Sequence, residues 1–204
     1  MPDPALLPAF VLATIVLLLI PGPNVALIVA NSVAYGARFG LLTVVGTSAA
    51  MVVQLVLTGL GLTELLGAAG HWFEWVRWLG VAYLLYLGLQ QWRAPPVDLS
   101  AVQAQPRSAA GLLTRAMLVS LTNPKTLLFY GAFFPQFIRA DRPVATQAAV
   151  LSAVFLALAL VVDCTWAFAA SRARPLLARG VRLGRVSGGM LIGAGVGLAF
   201  ARPK

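Results

Sequence analysis

The stretch ALLPAFVLATIVLLLIPGPNVALIVA, residues 5–30, carries no charged side chain, and Pro21-Gly22-Pro23-Asn24 interrupts it. A helix needs about 20 apolar residues to cross the hydrocarbon of a bilayer, and this run is long enough. Two prolines within three residues cannot sit in a continuous helix. Each lacks an N–H and its ring clashes with the preceding turn, while Gly22 adds backbone freedom. The reading is therefore one helix broken in its middle rather than two loops. In hydrocarbon an unpaired N–H or C=O costs several kcal/mol. Such a break survives only where it is buried in protein or faces a wet cavity.

Working outward, the same device recurs about half a chain later. Six apolar stretches run over about Ala5–Ala30, Phe39–Leu62, Trp75–Trp92, Gly111–Ile138, Val144–Ser171 and Val186–Phe200. Asn123-Pro124-Lys125 breaks the fourth stretch, and Pro135-Gln136 closes it. The longest polar segment, about residues 93–110, lies between the halves and reads as a cytoplasmic loop. Each half is then a broken helix followed by two continuous ones, over about 1–95 and 108–204. Three is odd, so the second half enters the membrane from the opposite face. The expected fold is an all-α integral membrane protein with about six transmembrane helices, built as a 3+3 inverted repeat with helices one and four broken. Residues 1–204 form a single membrane transport domain. Interrupted helices at corresponding positions of two halves point to a substrate site at mid-membrane depth.

Composition agrees. Of 204 residues, 60% are hydrophobic and 10% charged, against about 25% charged in a soluble domain. The net charge of +9 would suggest nucleic acid in a soluble chain. Here the basic residues gather where loops meet headgroups, so lipid is the expected partner and nucleic acid is not. Nine basic residues follow the first, third and fifth stretches and five lie on the alternate side, with Lys125 set apart as intramembrane. The positive-inside rule then places both termini in the periplasm and the long loops in the cytoplasm. Trp72, Trp75, Trp78 and Trp92 border the third stretch as an aromatic belt would. The first stretch lacks a basic n-region and a small-residue cleavage site, so it reads as a retained helix and not a cleaved signal.

Lys125 and Asp163 are the intramembrane outliers. Each costs about 2.5–3.5 kcal/mol at the bilayer centre on insertion scales, so each must face the bundle interior. The functional reading sets them near one another, Lys125 attracting a carboxylate and Asp163 taking an ammonium group or carrying a proton. The plainer reading is an ion pair that locks two helices. Half-helix N-termini suit carboxylates and bare carbonyls suit ammonium groups, so a zwitterion matches both. Asn24 and Asn123 are candidate caps after each break. Gln136 and Gln54 are weaker polar candidates, Gln54 serving equally as an interhelical bond. The candidate substrate-binding set is Pro21, Gly22, Pro23, Asn24, Asn123, Pro124, Lys125 and Gln136, with Asp163 for proton or ammonium coupling. Gly36, Gly40 and Gly46, and the G-x-x-x-G series Gly189, Gly193 and Gly197, read as packing positions where helices approach closely. The last series also suits contact between copies in a homo-oligomer.

With these motifs in hand, a family resemblance becomes specific. Pro21-Gly22-Pro23-Asn24, followed by Gly36-Ala37-Arg38-Phe39-Gly40 and Gly46, resembles the N-terminal signature of the LysE/RhtB amino-acid exporter family. Asn123-Pro124-Lys125 with Phe133-Phe134-Pro135-Gln136-Phe137 resembles its second signature, and Val162-Asp163 with Trp166 and Ser187-Gly188-Gly189 resemble its later helices. The similarity spans essentially the whole chain. It implies export of amino acids or their derivatives by proton antiport across the bacterial inner membrane. It also implies functional weight on Pro21, Gly22, Pro23, Asn24, Asn123, Pro124, Lys125 and Asp163. One departure is Ala50, which stands where the family pattern has a further glycine after Gly46.

Three other classes stay in view. A metal-ion or other small-solute exporter would need intramembrane ligands, and the candidates are few: Asp163, Cys164 and the lone His71. An intramembrane enzyme would need a nucleophile–base pair or an HExxH helix, and the sequence has neither. A scaffold would leave two breaks and Lys125 in hydrocarbon without a reason. No nucleotide-binding loop is present, so ATP does not drive this chain, and no cofactor or metal is expected.

Overall fold

The structure is a computed structural model. It describes residues 1–68, 82, 86, 89, 93 and 108–172. Most of the third stretch, the sixth stretch, most of the 93–110 loop, His71, the tryptophans of the third stretch and Gly189, Gly193 and Gly197 lie outside the described residues.

Among the described residues every regular element is helical. The first stretch forms α1 (Leu7–Leu19) and α2 (Pro23–Tyr35), bent by 50° at the proline break. Helix α2 runs beyond the expected end at Ala30. It stops at Gly36, whose φ of +92° suits glycine and few other residues. Helix α3 (Ala37–Ala68) follows at once, and α4 (Ala109–Leu121) opens the fourth stretch. Ser108 caps α4 by accepting from the Gly111 N–H. After the second break come α5 (Pro124–Leu128), a π turn (Phe129–Phe133) and a 3₁₀ turn (Phe134–Phe137). This limb therefore does not rewind into a long α-helix. Pro135 cannot donate to the preceding turn, and the backbone tightens before turning out at Ile138. Helix α6 (Val144–Arg172) closes the described part.

Among the described residues two helices are long and apolar enough to span a membrane, Ala37–Gly61 within α3 and Val144–Arg172, and the bent α1–α2 pair counts as a third when taken as one span. Their polarity is inverted relative to a soluble bundle. Val45, Val52, Val56, Leu57 and Leu60 of α3 and Leu160, Val161 and Phe168 of α6 face outward, whereas Thr43, Thr47, Gln54 and Asp163 are buried. A side chain's place here is set by lipid outside and hydrogen-bond partners inside.

Helix α3 is the hub and packs on α2, α4 and α6. Glycines allow two of these approaches. A Cβ at Gly40 would collide with Ser32 Oγ and lie 3.1 Å from Ala167 Cβ, so α2, α3 and α6 meet there. A Cβ at Gly46 would lie 2.7 Å from Ala116 Cβ and 2.8 Å from the Leu113 oxygen, against α4. Gly36 differs from the packing expectation. Nothing lies within 4 Å of its missing Cβ, and its role is the turn. Ala50 is fully buried in α3.

At the end of the bundle beside the start of α1, Gln147 fastens the 138–143 loop. Its Oε1 accepts from the Arg139 N–H and its Nε2 donates to the Arg139 oxygen. Arg139 pairs with Asp3 and Asp141, each at 3.0 Å. The Asp3 carboxyl is held below the usual carboxylate range, first by the Ala5 N–H and then by Arg139.

Candidate functional site

The two helix breaks meet. Pro21 has no N–H, so the Leu17 carbonyl loses its i+4 donor. The Ile20 carbonyl lies at the same open end. Lys125, from the second break, donates its Nζ to both, at 2.9 Å to Leu17 O and 2.7 Å to Ile20 O. An ammonium at a helix C-terminus also complements the helix dipole. Gly22 makes room for it, since a Cβ there would lie 3.3 Å from Lys125 Cδ and Cε.

The second break is closed in the same manner from the other side. Pro124 leaves the Ser120 carbonyl without its i+4 donor. The Lys125 N–H turns away from Leu121 O to the Asn123 side chain. Gln54, from α3 in the first half of the chain, donates Nε2 to Ser120 O at 3.0 Å and Leu121 O at 3.1 Å. Each half of the chain thus supplies the donor that closes the other half's break.

Between these caps runs a buried hydrogen-bond chain. Asn123 Oδ1 accepts from the Lys125 N–H at 3.0 Å, and Asn123 Nδ2 donates to Asn24 Oδ1 at 2.9 Å. Asn24 Nδ2 donates to Ser120 Oγ at 3.0 Å, and Ser120 Oγ donates to the Thr47 carbonyl at 3.1 Å. A backbone N–H at one end and a backbone carbonyl at the other cannot exchange roles, so both amides have one orientation. Asn123 is the N-cap of α5 as its position in the sequence implies. Asn24 is not a cap: Gly22 occupies the N-cap position of α2, and the Asn24 side chain is spent on the other break.

This link carries a prediction. A double-mutant cycle on Asn24→Ala and Asn123→Ala, read by unfolding in mixed micelles, should give a coupling of about 0.6–1.7 kcal/mol. Strictly additive effects would mean that the amides do not bond.

Asp163 is 1% exposed, midway along α6. Its charge and that of Lys125 act on one another. The two make no ion pair within 4.0 Å, since the Lys125 ammonium is engaged by the α1 carbonyls. The plain locking ion pair is therefore absent. Asp163 Oδ2, Tyr130 OH, Thr14 Oγ1 and Gln54 Oε1 are buried without a hydrogen-bond partner among the described residues. Gln136 donates to the Ala132 oxygen one turn back, within its own limb and away from the breaks. Among the described residues no group of three or more His, Cys, Asp or Glu side chains could hold a metal ion.

Ser120, Thr47, Thr14 and Tyr130 were not singled out from the sequence. The one signal for Ser120 is its place four residues before Pro124, where a carbonyl must lose its i+4 donor. Thr14 and Tyr130 read as ordinary core residues of apolar stretches.

The chain matches the LysE type translocator family over residues 15–202. It belongs to that family. This LysE type translocator is thus a multi-pass membrane protein, and the resemblance carried by its two proline signatures holds. It is 32% identical over 197 residues to an uncharacterized membrane protein of Vibrio cholerae, covering 95% of this chain and 96% of the relative. It is 36% identical over 165 residues to the homoserine/homoserine lactone efflux protein of Salmonella typhimurium and 35% identical to that of Salmonella typhi, covering 80% of each chain. No solved structure matches. The translocator family and the efflux relatives support an exporter of amino-acid type.

Proposed function

We propose that the protein exports amino acids or amino-acid derivatives of homoserine type across the bacterial cytoplasmic membrane by proton antiport. The observation that carries this reading is the junction of the two breaks. Six hydrogen bonds that join α1, α2, α3, α4 and α5 converge where two helices have lost their backbone pairing. Such a site is where the bilayer tolerates a polar solute. Its charges suit a zwitterion. Lys125 spends two of its three donors on α1 and keeps one N–H and its charge for a carboxylate. Asp163 offers an unpaired oxygen. A carboxylate that holds either a proton or the substrate's ammonium, and not both, couples the two fluxes in opposite directions.

The 3+3 inverted repeat, with six helices and both termini in the periplasm, is supported by the two breaks half a chain apart, the six apolar stretches and the basic loops. Lys125 and Gln54 each close the other half's break, Lys125 from a break and Gln54 from the continuous α3. The substrate-binding set is Pro21, Gly22, Pro23, Asn24, Asn123, Pro124 and Lys125 around this junction. Gln136 lies farther along the second limb.

The test is efflux from proteoliposomes holding the purified full-length protein and loaded with homoserine, threonine or lysine, with the outer buffer made acid. Efflux of at least one solute should accelerate with the gradient. No efflux of any amino acid or analogue would overturn the export reading. Efflux indifferent to the gradient would remove the proton and leave export standing.

A further inference from the structure

Besides Gln54 at the second break, three buried side chains have an oxygen with no hydrogen-bond partner among the described residues: Thr14 of α1, Tyr130 of the π turn and Asp163 of α6. They are 0%, 2% and 1% exposed. Buried polar atoms are almost always paired, so each of these calls for a reason.

Thr14 is an exception within its own molecule. Threonine in an apolar helix ordinarily donates to the carbonyl one turn back. Thr43, Thr58, Thr114 and Thr165 do so, at 2.7–3.0 Å. Thr14 does not.

Tyr130 is held by its ring, which meets Phe155 edge-on at 5.1 Å and Phe134 at 6.5 Å. The ring is satisfied by packing and the hydroxyl by nothing described. Phe155 lies two turns before Asp163 on the same buried face of α6, with only Ala159 between them. Tyr130 and Lys125 both lie within the field of Asp163. Thr14 stands one turn before Leu17, whose carbonyl holds Lys125. Phe10, one turn before Thr14, packs edge-on with Phe134 at 5.8 Å. The residues one turn from Thr14 (Phe10 and Leu17) and one turn from Asp163 (Ala159) pack with Tyr130 in one buried cluster.

We infer that Tyr130 and Thr14, with Asp163, form the subsite for the ammonium group of the substrate. An ammonium brings three donors and no acceptor, and three oxygens able to accept stand ready for it. Lys125 repels the ammonium toward Asp163 and leaves the opposite end, beside the breaks, for the carboxylate. This orientation rests on the export reading above and adds two specificity residues to it.

The experiment is counterflow of labelled homoserine in proteoliposomes, with Tyr130→Phe, Thr14→Val and Thr14→Ser. Removing a hydroxyl that has no ligand is neutral or stabilising, so a merely structural Tyr130 predicts unchanged transport. The assignment predicts that Tyr130→Phe and Thr14→Val raise the KM for homoserine about tenfold or more, as loss of a hydrogen bond to a charged group does, with little change in maximal rate. Their preference for homoserine over its deaminated counterpart, 4-hydroxybutyrate, should fall by the same factor. Thr14→Ser, which keeps the hydroxyl, should retain the wild-type KM. Wild-type KM and wild-type discrimination in both Tyr130→Phe and Thr14→Val would overturn the subsite and leave export intact. Absence of counterflow in the wild type for every amino acid would instead remove the reading on which it rests.

Discussion

Lys125→Met is expected to lose both a stable fold and export. Methionine keeps most of the apolar stem that lies against Gly22 but has no donor. The Leu17 and Ile20 carbonyls would then sit in a buried, low-dielectric place without the Lys125 hydrogen bonds seen at 2.9 and 2.7 Å. The Leu17 carbonyl keeps the Ile20 N–H at 3.2 Å, whereas the Ile20 carbonyl is left unpaired, at about 1–3 kcal/mol, to which the lost charged bond to Leu17 adds. That is a large share of the marginal stability of any fold. Thermal unfolding in detergent and the yield of folded protein measure it. A methionine variant as stable as the wild type would mean that Lys125 is not the cap of the first break. Export should vanish in any fraction that folds, because the end of α1 and the charge beside the breaks are both altered.

Asp163→Asn separates coupling from folding. The side chain is buried, and its Oδ2 has no partner among the described residues. An amide of the same shape therefore breaks no described bond, and thermal stability should be unchanged or raised. Net efflux driven by a pH gradient should fall to the level of protein-free liposomes, since an amide carries no exchangeable charge for the proton. Counterflow of homoserine against homoserine moves no net proton and should persist at high substrate. Gradient-driven export at the wild-type rate in this variant would end the role of Asp163 in coupling. Loss of both modes together with loss of folded protein would make Asp163 structural.

Much of the plan was legible locally. Pro21, Pro23 and Pro124 lack N–H groups wherever they stand, so the break positions follow from sequence position alone. Asn123 before Pro124 reads as an N-cap because capping reaches only a few residues along the chain, and it is one. The membrane setting follows from uncharged runs too long for loops. The errors came where a residue's partner lies far along the chain. Asn24 looks like a cap after a proline, yet its side chain bonds residues 96 and 99 positions away. Gln54 looks like any polar residue in an apolar helix, and nothing nearby in sequence says that it closes a break 66 positions on. Gly36 and Gly40 share a small-residue spacing, yet one makes a turn and the other a contact.

Sequence by itself determined which backbone groups would be orphaned, because proline chemistry and the intolerance of hydrocarbon for bare carbonyls need no knowledge of the neighbours. Only the tertiary structure decided who answers them. Hydrogen bonds form over about three ångströms, and the groups that come that close here belong to opposite halves of the chain. Lys125 therefore closes α1, Gln54 closes α4, and three oxygens on α1, the π turn and α6 stay unpaired.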